Sequence, residues 1–504
     1  MTTTMAAVLL VAAADAAFGV ALLRGQSPAP ATQQPVPDIV WTECHGPAAL
    51  VAVAADVKAL KCFDFDDDAC AQLARFTKLE RLDLSGTDVD DKGSSIPPRT
   101  TDMGVRELVA LKNLRWLCLA RCHAMNGDGL QALEALPLLE HLDLTSAGVE
   151  TPAIERLQRL PSLRSLVLSH CLKFHGRALA AVAKIPGLRR LELRACPTLT
   201  ADDVMHVARL KELRHLDLRD CQGRFRGQRE FLPGPGGKAP EPPIEDGVGI
   251  TDEVVAAIAA LPLETLLLGG CESLTDAIAG PIAKLSTLRN LDVSNLPNVT
   301  GALLAKIPGE LEALALDDNP QFDAEALRRL PPLANVREIG LTVYGGLDRA
   351  TLEALLANKQ LTSLRLGRGA FYSSSRPALL RGADLAVLAT QKQLRSLVLG
   401  STLVDKQSTT IVAALPQLTE LDLSRASLAA HVLAPLGACA SLRSLKLAGV
   451  QMLDIRTLRA IPGAQLRELD LYGTNAPSAL IRETAKTWKG CTITMPDGRR
   501  WRTP

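Results

Sequence analysis

Three apolar positions return in a single phase along most of the chain. The pattern Leu-x-x-Leu-x-Leu begins at Leu79, Leu114, Leu139, Leu163, Leu188, Leu213, Leu263, Leu288, Leu311, Val336, Leu361, Leu394, Leu418, Leu442 and Leu466. A degenerate copy starts at Val57, with Leu60 and Cys62. Most intervals are 24 or 25 residues. The Leu-x-Leu alternation predicts a short strand with one buried face. A turn follows, then a segment such as 128–136, where Leu130, Leu133 and Leu136 recur at helical spacing. Pro137 ends that helix, because proline restricts its predecessor and offers no N–H. The same proline returns at 161, 186, 262, 308, 331, 416 and 462. One such unit cannot bury its apolar face alone, so neighbours must stack, with a parallel sheet inside and helices outside.

These units resemble the leucine-rich repeats of the ribonuclease-inhibitor-like superfamily. Leu188-Arg-Arg-Leu-Glu-Leu-Arg-Ala-Cys-Pro-Thr-Leu-Thr-Ala-Asp-Asp-Val204 is similar to its cysteine-containing subtype, as in F-box/leucine-rich-repeat proteins. Leu263 to Asp276 is similar as well. The resemblance implies an α/β fold: a leucine-rich-repeat solenoid of about 15–16 repeats. Its expected form is a curved horseshoe, sheet on the concave side and helices on the convex side. It fixes fold more firmly than function. The F-box has no counterpart in the sequence, so a ubiquitin-ligase role is not carried over.

Composition agrees with one small unit copied many times. Aromatic residues are only 3% of 504, and a globular core of this size normally uses more large rings. Formal charge is +1, from 56 basic and 55 acidic residues. That balance supplies no long-range field for nucleic acid or an anionic membrane. Residues 1–24 differ in kind: Met5 to Leu23 is apolar except for Asp15. This is the length of a membrane span or of a signal-peptide core with flanks. No Lys or Arg precedes it, so the usual basic start of an export signal is missing. The expectation is a signal peptide or membrane anchor, hence a secreted or envelope-anchored protein; without that role the protein is cytoplasmic. Residues 25–38 read as a flexible linker. Residues 39–56, with Trp41, read as an N-terminal cap, 57–487 as the repeat domain, and 488–504 as a C-terminal cap and tail.

Eleven cysteines raise the question of disulfides or metal. Cys122, Cys171, Cys196, Cys221 and Cys271 all stand eight residues after the first Leu of their unit, and Asn319 and Thr474 take that place elsewhere. This predicts a ladder of small buried side chains where the chain leaves the strand. Neighbours would lie roughly 5 Å apart, which leaves a disulfide open. There is no zinc spacing. Asp64, Asp66 and Asp68 imitate a calcium loop, but Ala69 and Arg75 replace its Gly and Glu, so they read as acidic residues opening a helix. Gly236-Gly237-Lys238-Ala239 lacks the first Gly and the Ser/Thr of a phosphate loop. His141/Asp143 and His215/Asp217 sit at equivalent strand positions three repeats apart, roughly 15 Å. That is too far for one metal or one proton relay, so each is expected to make a local ion pair. The expectation is no enzyme, no cofactor and no metal.

A partner surface is the remaining reading. Positions 3, 5 and 7 of each unit should face the open side of the sheet. There the sequence places Trp116, His141, Asp143, Arg190, Glu192, Arg194, His215, Asp217 and Arg219, a composition enriched in interface hot spots. Long insertions follow the strands of units 79, 213 and 361, at about 90–101, 222–249 and 368–384. They add rim-loop candidates Arg224, Phe225, Arg226, Phe371 and Tyr372. Position 2 holds Arg in nine units and Glu at 80, 140, 264 and 312, which reads as a solvated edge. The expected function is a protein-binding scaffold, monomeric, with a protein partner, no nucleic acid, and membrane contact only through the N-terminal segment. The alternatives are a substrate-recognition component of a ubiquitin-ligase-like or signalling complex, and a glycan-processing enzyme. The last needs a carboxylate pair that Asp143 and Asp217 are too distant to form.

Overall fold

The structure, a computed structural model, describes residues 40–503 apart from 87, 90–94, 222–248, 343–348, 368–381, 401, 429–431, 452–458, 462 and 464. The described residues fall into two compact units, one ending at Leu288 and one starting at Arg289. The leader 1–24, the linker 25–38 and the rim candidates Arg224, Phe225, Arg226, Phe371 and Tyr372 lie outside the described residues.

The first unit stacks nine strands in chain order: β1 (Thr42–His45), β2 (Ala59–Phe63), β3 (Arg81–Gly86), β4 (Trp116–Cys118), β5 (His141–Asp143), β6 (Ser165–Val167), β7 (Arg190–Glu192), β8 (His215–Asp217) and β9 (Thr265–Leu267). Each runs parallel to the next. The second unit stacks β10 (Asn290–Asp292), β11 (Ala313–Ala315), β12 (Glu338–Gly340), β13 (Ser363–Arg365), β14 (Ser396–Val398), β15 (Glu420–Asp422), β16 (Ser444–Lys446), β17 (Glu468–Asp470) and β18 (Thr492–Thr494), again parallel. A tenth strand, β19 (Arg500–Arg502), turns back antiparallel on β18. The register follows the repeat: position 3 pairs with position 3 from Arg81 to Thr265 and from Asn290 to Thr492.

Positions 1, 4 and 6 form the core of each unit. Leu139, Leu142 and Leu144 are at most 1% exposed, and the same triplet is buried in every repeat from Leu79 to Leu466. The segment after the strand is helical but short. Asp128–Ala135 is a 3-10 helix rather than an α-helix. Its leucines recur every third residue, the period of the tighter helix.

The chain leaves most of the described strands through one left-handed residue; Gly86, at the end of β3, is an exception. Position 8 has positive φ at Asp64, Arg121, Ser146, His170, Ala195, Asp220, Asn295, Asp318 and Arg425, and at Gly270, Gly449 and Gly473. Position 9 then turns inward. Cys171 donates its thiol to the Leu144 carbonyl at 3.0 Å, Cys196 to Leu168 at 3.1 Å, Cys221 to Leu193 at 3.0 Å and Cys271 to Leu218 at 3.1 Å. Asn319 occupies the same step with its amide, donating to Val293 and Leu316 and accepting from the Leu296 N–H. All eleven cysteines are free and buried.

Candidate functional site

The nine sequence-predicted surface residues with described side chains all lie in the first unit, on β4 to β8 and the turns just after β7 and β8. The structure divides them into residues that hold the sheet and residues that face outward.

Asp217 belongs to the first group. It is 1% exposed, although its position faces the open side. Its Oδ1 accepts from the Arg219 N–H at 3.0 Å, and the Arg219 guanidinium reaches Oδ2 at 2.6 Å. Burial alone would raise its pKa; the Arg219 charge and hydrogen bonds outweigh burial and hold it below the usual carboxylate value. Arg194 is likewise committed, with its Nε donating to Asp220 Oδ2 at 3.0 Å. Asp143 spends Oδ1 on the N–H and hydroxyl of Thr145, at 2.8 and 2.6 Å. The same bond to the N–H two residues on is made by Asp83, Asp292, Asp422 and Asp470. Position-5 aspartate is therefore a strand-end cap. It is sunk between longer side chains because its oxygen serves an N–H that the strand ladder leaves unpaired.

The expected ion pairs at the two histidines do not form as such. His141 stacks flat on Trp116, with ring centroids 5.1 Å apart and planes 1° apart, and its Nδ1 lies 2.8 Å from the Ser165 hydroxyl. His215 Nε2 is 3.6 Å from Glu192 Oε1, beyond hydrogen-bond reach, and has no hydrogen-bond partner among the described residues. Burial pushes the His141 pKa down to about 4 and that of His215 to about 3, with the Arg190 charge adding to both. Neutral imidazoles cannot supply the charge an ion pair needs. Glu192 is raised by burial, against the opposing pull of Arg190, whose Nε donates to it at 2.7 Å.

The outward group forms one stripe along position 3. Trp41 lies edge-on to Trp116, with centroids 5.4 Å apart. Trp116 leads to His141, then Ser165, then the exposed Arg190, then His215, each paired in register with the next. Trp41, read from sequence only as part of a cap, joins this stripe. Its register places it beside Ala59, which is fully buried. The missed signal was a phase: Trp41 immediately precedes the residue paired with Leu60.

The position-2 column is a solvated edge, as expected, whose side chains also pair between repeats. Arg115 pairs with Glu140 of the next repeat, Arg214 with Glu264, and Lys58 with Glu80. Arg164 donates instead to the Pro186 carbonyl at 2.8 Å. Of the calcium-like aspartates, Asp66 caps Asp67–Ala71 by accepting from the Ala69 N–H and Asp68 lies in its first turn, as expected, whereas Asp64 stands outside the helix at a left-handed turn, 2.9 Å from Arg99. Among the described residues no group of three or more His, Cys, Asp or Glu has metal-site geometry. No described helix is long and apolar enough to cross a membrane.

No family model matches the sequence, and no curated protein matches it. Solved structures do. A leucine-rich-repeat protein of Leptospira interrogans aligns over 90% of this chain and all of its own, at 15% identity and TM-score 0.43. An internalin of Listeria monocytogenes aligns over 80% of this chain and 89% of its own, at 16% identity and TM-score 0.37. TLR13, solved with a single-stranded RNA, aligns over 90% of this chain and 65% of its own, at 17% identity and TM-score 0.37. The chain's own parallel strands, their repeat register and the triplet buried in each repeat make the fold that of leucine-rich repeats. What these proteins bind says nothing of what this chain binds.

Proposed function

We propose that this chain is a non-catalytic protein-binding scaffold whose first unit docks a partner on the open face of β4 to β8. The observation that supports it is the in-register stripe from Trp41 through Trp116 and His141 to Arg190. It offers two indole rings and an exposed guanidinium on a rigid sheet, and Trp and Arg are the residues that most often dominate binding energy. Asp217, Arg219 and Arg194 serve as supports for that face. In this reading the segment 5–23 exports or anchors the protein, and the repeats belong to the cysteine-containing subtype.

The test is a comparison of partners captured by the tagged full-length chain and by a Trp116→Ala/Arg190→Glu variant of unchanged circular dichroism. Loss of the wild-type partners is expected. Capture of the same set in the same amounts would remove the stripe from the function. N-terminal sequencing of the protein purified from its own organism checks export: a start beyond residue 24 supports it.

A further inference from the structure

The second unit ends on an open sheet edge. Pro496-Asp497-Gly498 turns the chain after β18, with Gly498 in the left-handed region at φ 86° and the Asp497 carboxylate accepting from the Arg499 N–H at 3.0 Å. β19 then runs back antiparallel, with Arg500 opposite Thr494, Trp501 opposite Ile493 and Arg502 opposite Thr492. The Met495 N–H donates to the Arg499 carbonyl at 2.8 Å, and the Thr503 N–H donates to the Cys491 carbonyl at 2.9 Å. Backbone direction alternates along a strand, so Arg499, Trp501 and Thr503 turn their N–H and C=O groups to β18. Those of Arg500 and Arg502 point the other way. Among the described residues no strand pairs with β19 on that outer side, and these groups have no partner.

The edge is fixed on its inner side and charged on its open face. The Cys491 N–H donates to the Thr503 hydroxyl at 2.8 Å, and the Arg482 guanidinium lies 5.9 Å from the centre of the Trp501 ring. Residues directly opposite on paired strands share a face, so Arg500 and Arg502 stand with Thr494 and Thr492 on the open face and Trp501 stands on the other. Both arginines are exposed, and among the described residues neither has an ion-pair partner. Arg499 does, with Asp497 at 3.7 Å. The nearest acids on the open face, Glu468 and Asp470, belong to β17, two strands behind β19.

We propose that the outer edge of β19 docks an extended acidic segment of another protein, which joins the sheet as one more antiparallel strand. Arg500 and Arg502 each exchange a pair of main-chain hydrogen bonds with the residue opposite. The two opposing residues stand at alternate positions of the segment and so share one face, which sets two carboxylates directly against the two guanidiniums. Main-chain bonds give the affinity and the charge pairs give the sequence preference. A second copy of this chain is the wrong occupant, because antiparallel pairing of two such edges sets arginine against arginine. Glu468 and Asp470 would stand three strands from the docked segment, about 14 Å, where salt screens them. The edge shares no residue with the stripe of the first unit, and either could fail alone.

The probe is a short fluorescent peptide of alternating threonine and glutamate. One control is the same peptide N-methylated at its glutamates, which keeps the charge and removes the N–H groups that would bond to β19. The other is an isomer with its glutamates contiguous. Binding to the full chain is followed by anisotropy at about 50 mM salt, where screening is modest. The alternating peptide is expected to bind at least about tenfold tighter than either control. Arg500→Ser/Arg502→Ser should reduce its binding to the level of the controls with circular dichroism unchanged, and Trp116→Ala/Arg190→Glu should leave it unaltered. Equal binding by the N-methylated peptide overturns the proposal, since charge alone then suffices, and it does so without any variant having to fold. Unaltered binding by the Arg500→Ser/Arg502→Ser variant overturns it too, as does loss in the Trp116→Ala/Arg190→Glu variant, which puts the peptide on the first unit. So does self-association of the chain that Arg500→Ser/Arg502→Ser abolishes, because the occupant is then a second copy.

Discussion

The Arg219 guanidinium meets the Asp217 carboxylate at 2.6 Å, on a side chain only 2% exposed. Removing the cation leaves a desolvated anion behind. Arg219→Ala is therefore expected to destabilise the protein by about 3–5 kcal/mol in urea titrations. Asp217→Asn/Arg219→Met should cost less than Arg219→Ala alone. A double variant as costly as the sum of the singles would show that the two side chains act independently.

His141 and His215 set an acid limit. The unfolded chain protonates each imidazole near pH 6.5, while the folded chain resists to about 4 and about 3. Between those values the unfolded state binds more protons, so stability falls as pH falls from 6.5. At pH 5 the loss is up to about 2 kcal/mol per histidine. His141→Phe/His215→Leu should flatten the urea midpoint between pH 7 and 5; an unchanged slope would count against neutral, buried rings.

Glu338 has the opposite sign. Burial pushes its pKa up to about 7. Between the unfolded carboxyl value and 7 the folded state holds the extra proton, so stability is lost as pH rises through that window. Glu338→Gln should match wild type near pH 4.5 and exceed it at pH 8. The gain is about 1–2 kcal/mol after discounting for a part-exposed group. A variant less stable than wild type at pH 8 would contradict an unpaired Glu338 Oε2.

Two glycines at position 8 separate backbone from steric cost. Gly473 has φ 66°, and the nearest atom to an added Cβ is 3.9 Å away. Gly270 has φ 77°, and its Cβ would stand 2.5 Å from Asp220 Oδ1. Gly473→Ala is expected to cost about 1 kcal/mol for the left-handed backbone. Gly270→Ala should cost at least about twice that, because Asp220 also holds Arg194. Thermal melts of the two variants give the comparison.

The repeat, its strands, their buried triplet and the buried position-9 thiols were legible because a period repeated some fifteen times leaves little else to fit. The open face was less so. Facing outward is a property of backbone direction, and it placed Asp217 on the right side without revealing its depth. Depth depends on the lengths of neighbouring side chains and on which backbone N–H needs an acceptor. Both come from adjacent repeats some 25 residues away in sequence. The same holds for Trp41 and Trp116, which meet only once the register of β1 is known. Position 8 could have been found: Gly, Asn and Asp recur there at 270, 449, 473, 295, 220, 318 and 64, residues that tolerate the left-handed region.

The thiol ladder has a consequence for how such a chain can change length. Cys171, Cys196 and Cys221 each reach back 27 or 28 residues to a carbonyl of the preceding repeat. Nothing in that bond identifies which repeat precedes. Excising 163–187 would join Ser162 directly to Leu188 and keep the apolar phase, because Leu163 and Leu188 hold the same place in their units. Cys196 would then meet the Leu144 carbonyl that Cys171 now uses. Each rung is interchangeable with the next, so the molecule can be shortened or lengthened by whole steps while both its ends stay as they are.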